Sequence, residues 1–428
     1  MKILIKGGEV VDPVNGVIEK QDIVVENGKV SKILQPAENN EDSKIEIIDA
    51  SGKVVIPGLI DMHVHLREPG QEHKETIMSG AIAGVAGGFT GLACMPNTYP
   101  VNDNSAVTEY IMKQAEKADL LRIYPIASIT KGLDGESLTE FGDLKKSGAK
   151  GLSDDGLPVK NSEVMRRALE YANYHQLTVI SHCEDHNLSA GGVMHEGTVS
   201  AQIGLPGIPA ASEEIMVQRE ISLARLTNCP VHIAHVSCEG SVDAIRRAKE
   251  QGIKVTAETA PHYFSLDHSA VIGYDTNTKM NPPLRSPRDV QAIKDGLAAD
   301  VIDVIATDHA PHEPLVKRVE FDKAAFGIIG LETSLPLTLA LVRDGVISLA
   351  SAIRKLSYNP AKILGVPGGK ITEGAAADIT VIDPEVEYVL NNDDIRSKSK
   401  NSPFIGEKLR GRSILTMVNG RIVWERNE

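Results

Sequence analysis

Apolar positions along this chain fall into two textures. Near both ends they come in short Val- and Ile-rich runs. These are "KILIKGGEVVD", "DIVVENGKVSKIL" and "IEIIDASGKVVIPG" on one side, and "ADITVIDPE", "EYVL" and "SILTMVNGRIVWE" on the other. Gly, Asn and Asp interrupt them, so both ends predict short β-strands joined by turns. The middle alternates instead. Strand candidates there are "VVIPGLIDMHVH", "GFTGLACMPN", "RIYPIASI", "AKGLSDDG", "LTVISHCE", "PVHIAHVS", "IKVTAETAPH" and "VIDVIATDHAPH". Helix-length segments separate most of them, such as "NSEVMRRALEYANYHQ", "SEEIMVQREISLARLTN" and "SVDAIRRAKEQG". The last two begin after Ser or near acids, as helix starts do.

Eight strands alternating with helices predict an α/β fold, a (β/α)8 TIM-type barrel. The alternative is an open doubly wound sheet. No Gly-rich fingerprint follows the first strand, and a count of eight favours closure. The expected division is a barrel over residues 57–365 and a small β-sandwich domain from residues 1–56 plus 366–428. Chain termini are often close in space, which lets the two ends pair. The segment "EPLVKRVEFDKAAFG" (313–327) is charged, ends in Gly and reads as a mobile loop.

Composition narrows the function classes. A chain of 428 residues that is 42% hydrophobic and 24% charged has ample material for a large core. Its formal net charge is −13. An acidic surface argues against nucleic acid or an anionic membrane as partner. No run of about 18 apolar residues offers a transmembrane helix, and "MKILIKGGEVVDP" lacks the apolar stretch of a signal peptide. Cys94, Cys183, Cys229 and Cys238 form no C-x-x-C pair and are too sparse for a disulfide framework. A cytoplasmic location is expected, with the cysteines as core residues.

Chemistry concentrates at strand ends. Side chains on a strand alternate with period two, so His63 and His65 face one side. His182 ends "LTVISH", His235 ends "PVHIAH" and Asp308 ends "VIDVIATD", while Asp154–Asp155 ends the fourth strand. In a barrel these ends share one rim. Four imidazoles and two carboxylate positions suit a borderline divalent ion such as zinc. Six ligands exceed the need of one tetrahedral ion, and two ions sharing a carboxylate would use them all. One of the two acids can serve the turn before Gly156 and the other the metal. His232, three residues from His235, is expected on the opposite face, in packing or in support of the site. His73, His175, His186, His195 and His268 fall in helix or loop contexts and carry no expected role, and His262 and His309 stay open.

The motifs "HVHLREPG", "MPNT", "SDDG", "SHCED", "AHVS", "NPPLR" and "ATDHAPH", in this order, resemble the amidohydrolase superfamily, and within it the dihydroorotases of the long bacterial type. The resemblance spans nearly the whole chain. It implies that His63, His65, Asp155, His182, His235 and Asp308 hold two Zn2+ ions bridged by Asp155. It also implies that Asp308 moves protons. Arg67, Asn97, Asn281 and His312 match substrate-binding positions, and Phe326 and Gly327 match backbone contacts from a loop over the site. One departure is "KAAFG", where relatives often carry a proline before the Phe.

The implied reaction is the reversible cyclisation of N-carbamoyl-L-aspartate to L-dihydroorotate in pyrimidine biosynthesis. Arg67 suits the substrate carboxylate because a guanidinium grips it bidentately. Allantoinases and dihydropyrimidinases share the fold, but usually bridge their metals with a carboxylated lysine on strand 4. Lys150, the only lysine there, is expected at the strand's start, away from the rim. A scaffold subunit for aspartate transcarbamoylase is the non-catalytic alternative. A homodimer and a complex with that transferase are the partners the resemblance leaves open.

Overall fold

The computed structural model describes residues 2–36 and 45–426. Residues 37–44, inside the expected N-terminal strand region, lie outside the described residues. Eight parallel strands follow in sequence order: Leu59–Val64, Phe89–Cys94, Arg122–Ala127, Gly151–Leu152, Thr178–Ser181, Val231–Ile233, Val255–Thr259 and Val304–Ile305. The last meets the first through a parallel bridge from Val64 to His309, and His65 N–H donates to the His309 carbonyl at 2.9 Å. The barrel is closed there by a few bonds.

Helices separate the strands where amphipathic segments predicted them: Ser162–His175, Ala211–Thr227 and Glu239–Glu250 are three. Asn161 caps the first by accepting from the Glu163 and Val164 amides, which satisfies two orphan donors. Met62, Ala93, Ile126, Ile180 and Val304 come from five strands and pack with Ala234, just past a sixth, as the barrel interior. Leu59, Leu92, Val179, Val231 and Ile305 join the larger cluster shared with the helices. Strands buried on both faces read as continuous apolar runs, which is why they were legible.

The terminal strands form one mixed sheet. Lys2–Asp12, Val17–Glu26, Lys29–Leu34, Glu46–Asp49 and Val54–Pro57 join Ile379–Val389, Lys408–Val418 and Arg421–Glu425. Ile3, Ile23, Val55, Ile379 and Met417 share its core. The run "VVIPGLIDMHVH" is therefore two strands. Val54–Pro57 pairs antiparallel with Ile379–Ile382, and Leu59–Val64 enters the barrel. Gly58 is the hinge, since a Cβ there would come within 2.2 Å of the Thr90 side chain.

Among the described residues no helix is long and apolar enough to cross a membrane. All four cysteines are free and buried.

A candidate metal centre and its pocket

Two local devices aim the first-strand histidines. The register with the second strand slips between Asp61 and Val64. Such a bulge puts two successive residues on one side, so Met62 and His63 both face inward. The buried Asp61 carboxylate then accepts from the His63 amide at 3.0 Å and the Thr307 amide at 3.2 Å, tying strand 1 to the end of strand 8. Arg67, His235 and Asp308 all have positive φ, at 62°, 33° and 48°. A non-glycine residue held there costs roughly 1–3 kcal/mol, a strain that persists where surrounding structure over-determines it.

Asp155 stands at the centre. Its Oδ1 lies 3.4 Å from His63 Nε2, 3.5 Å from His182 Nδ1 and 3.7 Å from His235 Nε2, and its Oδ2 lies 3.5 Å from His65 Nε2. Asp308 Oδ1 is 3.1 Å from His65 Nε2 and 3.6 Å from His63 Nε2. The six expected ligands are thus brought together, all buried. His63 with Asp155 and His235, and His63 with His65 and Asp308, are two groups whose donor atoms could each surround an ion. His63 Nε2 and Asp155 Oδ1 are buried with no hydrogen-bond partner. An orphaned imidazole nitrogen facing an orphaned carboxylate oxygen fits a cation between them. Burial alone would push the His63 pKa down, yet the carboxylates of Asp155, Asp308 and Glu258 hold it well above its usual value. The donor set of imidazoles and carboxylates fits zinc.

The side chain of the other acid does not serve the turn before Gly156; it ties the end of the fourth strand to the segment after the third. Asp154 accepts from the Ile129 and Thr130 amides and from the Thr130 hydroxyl.

Three carboxylate or amide groups orient the imidazoles. Glu258 Oε1 is 2.6 Å from His63 Nδ1, and its Oε2 is 3.2 Å from His232 Nε2. Glu184 Oε2 is 2.9 Å from His182 Nε2, and it also accepts from Asn281 Nδ2 at 2.9 Å. Asn97 Oδ1 is 2.9 Å from His65 Nδ1. Such partners fix the tautomer and raise ligand basicity. Burial pushes Glu258 up, but His63 and His232 hold it at about 2. Neither glutamate was among the expected site residues. Glu258 had a signal: an acid inside the apolar strand "IKVTAET" must find a partner.

His232 and His235 are not on opposite faces as alternation predicts. The strand ends at Ile233, and the positive φ of His235 turns it inward. His232 supports the site through Glu258. His309 is structural, its Nδ1 accepting from the Gly330 amide. His262 is buried with Nε2 unpaired, and burial pushes its pKa down to about 4. His186, expected to be idle, lies 3.4 Å from Glu184.

A cavity of about 200 Å³ opens beside this cluster, lined by Arg67, Asn97, Asn281, His312 and Phe326 among others. Arg67 is 8% exposed, and among the described residues no carboxylate is within ion-pair distance of it. Its Nε donates to the Pro311 carbonyl at 3.2 Å, and one terminal nitrogen donates to His312 Nε2 at 3.3 Å. Burial pushes Arg67 down to about 10, still charged at neutral pH. Burial and the neighbouring cation Arg67 push His312 down to about 2, so its ring is neutral, and its Nδ1 is buried and unpartnered.

Gly327 is the exception. Its N–H donates to the Lys279 carbonyl and its own carbonyl accepts from Lys317 and Asn401, so its backbone groups are already engaged. Phe326 reaches the cavity wall and Gly327 does not. Lys150 is exposed, and it lines a crevice with Arg122, Asn419 and Arg421 that shares no residue with this pocket.

Comparison with known proteins places the chain among its relatives. Residues 52–241 match the family model described as dihydro-orotase-like, and residues 192–424 match that of the amidohydrolase family. A dihydroorotase of Syntrophus aciditrophicus is 52% identical over 425 residues, covering 99% of this chain and 100% of the relative. A dihydroorotase of Geobacter metallireducens is 54% identical over 426 residues, covering 100% of both. Among solved structures, an L-hydantoinase (dihydropyrimidinase) from Arthrobacter aurescens superposes with a TM-score of 0.88 at 25% identity, over 100% of this chain and 96% of that one. A dihydropyrimidinase from Brevibacillus agri has a TM-score of 0.87 at 24% identity, over 99% of this chain and 95% of that one, which speaks to the fold alone. The chain belongs to the dihydroorotase family of the amidohydrolase superfamily.

Proposed function

We propose that this chain is a zinc-dependent dihydroorotase that interconverts N-carbamoyl-L-aspartate and L-dihydroorotate, closing or opening the ring with loss or gain of water. The observation that carries the reading is Arg67: a buried guanidinium that, among the described residues, has no carboxylate within ion-pair distance, lining a small cavity beside the candidate metal cluster. A buried cation without a counter-ion is costly unless a ligand supplies one. A small ring bearing one carboxylate supplies it, and the fork geometry binds it bidentately.

His63, His65, Asp155, His182, His235 and Asp308 would hold two ions, with Asp155 shared between them. When bound, the ions would polarise the ring carbonyl and lower the pKa of water. Asp308 touches His65 and faces the same cavity. In ring opening it takes the attacking water's proton and delivers it to the departing ring nitrogen; in ring closure it accepts the proton of the ureido nitrogen. The neutral His312 ring offers an N–H, and Asn281 keeps its amide oxygen for the substrate while its nitrogen is tied to Glu184. Lys150, exposed in a separate crevice, does not line this cavity, which speaks against a modified lysine bridging metals here.

The test is turnover of L-dihydroorotate, allantoin and dihydrouracil by one zinc-loaded preparation, with metal counted before and after chelation. Preference for dihydroorotate that disappears with zinc and returns on its restoration supports the reading. Preference for a ring without a carboxylate overturns the Arg67 assignment. Bound metal with no turnover of any ring points to a scaffold role. Elution on size exclusion, alone and with aspartate transcarbamoylase, tests the homodimer and the mixed complex.

A further inference from the structure

Lys279 and Lys317 are only 2% and 3% exposed, and among the described residues neither has a carboxylate within ion-pair distance. Buried ammonium groups without a counter-charge are uncommon because desolvation is costly. Both are instead spent on carbonyls of one short segment. Lys317 Nζ donates to the Ala325 carbonyl at 2.9 Å and the Gly327 carbonyl at 3.0 Å, and sits 3.5 Å from the Lys279 carbonyl. Lys279 Nζ donates to the Phe321 carbonyl at 2.8 Å and the Asp322 carbonyl at 3.0 Å, and lies 4.5 Å from the centre of the Phe326 ring. The Lys279 carbonyl in turn accepts from the Gly327 amide at 2.9 Å.

The consequence is a pattern of used and unused groups. The Ala325 amide donates to the Val316 carbonyl, and the Ala325 carbonyl is held by Lys317. Both backbone groups of Gly327 are engaged. Between them, among the described residues, the N–H and C=O of Phe326 make no hydrogen bond. Phe326 is the residue of this segment that lines the cavity. A Cβ on Gly327 would come within 2.6 Å of the Ala310 carbonyl, so the segment has no slack on that side.

We propose that Lys279 and Lys317 form a two-ammonium clasp that saturates the carbonyls on either side of Phe326 and so presents the Phe326 peptide groups to the substrate. They are positioning residues, acting through the backbone they hold. The inference rests on the cavity being the substrate pocket argued above.

The test compares Lys317→Met with wild type and with Lys323→Met, an exposed lysine of the same loop paired only with Glu320. Amide exchange over 316–327 is read without substrate, and metal content, KM and kcat are read with dihydroorotate. Loss of two charge-assisted bonds is expected to raise KM by about tenfold while kcat stays within about threefold. Exchange should quicken in this loop alone, metal content should hold, and Lys323→Met should match wild type. Faster exchange with unchanged KM would overturn the positioning role, and unchanged exchange would overturn the clasp itself. If Lys317→Met fails to fold, Lys279→Met carries the same reading through the Phe321 and Asp322 carbonyls. If wild type prefers another ring, the substrate assignment has failed, and KM for that ring with the exchange data still decides the clasp.

Discussion

The two ends of the barrel are built to opposite standards. At the end where the strands finish, Arg67, His235 and Asp308 sit in left-handed backbone, and His63 Nε2, Asp155 Oδ1 and His312 Nδ1 are buried without partners. At the end where they begin, the side chains that join the barrel to the terminal sheet find partners. Arg122 reaches Asp378 and Asn419, Arg421 reaches Asp119, and the hydroxyls of Thr380 and Thr416 donate to the Gly88 and Val85 carbonyls. Groups left wanting are groups free to bind something else, and matched groups are free only to hold. The same charge-altering substitution should therefore cost activity at one end and stability at the other.

That contrast can be broken in several ways. Asp308→Asn should give the largest effect, a fall in kcat of about a thousandfold, with a melting temperature no lower than wild type. Turnover that survived with metal bound would remove Asp308 from the proton path. Next comes Arg67→Lys, which keeps the charge and loses the fork. It should raise KM for dihydroorotate by roughly ten- to a hundredfold, and rings without a carboxylate should lose nothing. An equal loss on all rings would point to a general role in shaping the pocket.

Glu184→Gln should weaken metal binding by about ten- to a hundredfold, with turnover recovered in excess zinc. Failure of zinc to rescue would shift the weight of Glu184 from His182 to Asn281. The smallest effects belong to the other end. Arg122→Met should lower stability by about 1–2 kcal/mol, since it strips a partner from the buried Asp378. Its kcat and KM should match wild type. Lys150→Met should change neither metal content nor turnover, and lost metal would overturn the Asp155-centred reading.

How far the sequence reaches follows the same division. Barrel strands were legible because strands buried on both faces are apolar throughout, and the candidate ligands because they sit where those runs stop. Three things needed coordinates. Gly58 looks like one more residue in an apolar run, and only its contact with Thr90 and the pairing of Val54–Pro57 elsewhere split the strand in two. The inward turn of His235 depends on backbone that alternation does not encode. Asn97 works on the imidazole of His65, held by another strand, and Glu184 joins its near neighbour His182 to the distant Asn281; neither link between segments shows in the residues alongside. Charge along 313–327 suggests mobility, yet Lys317 turns out to be the residue that ties the loop down.

The short passage from Pro57 through Gly58 to Leu59 carries a consequence for synthesis of the chain. The strand that leads into His63 is paired on one side with Glu9 and Val10, made early, and on the other with Ile379–Ile382, made more than three hundred residues later. While the ribosome is still at work, that second side is an open edge of apolar backbone, the kind that recruits other chains. The anchor of the first two candidate metal ligands is thus completed almost last. A nascent chain stalled before residue 379 should hold most of the barrel sequence and still associate readily through Val54–Pro57, and the long separation makes this pairing a slow step of folding.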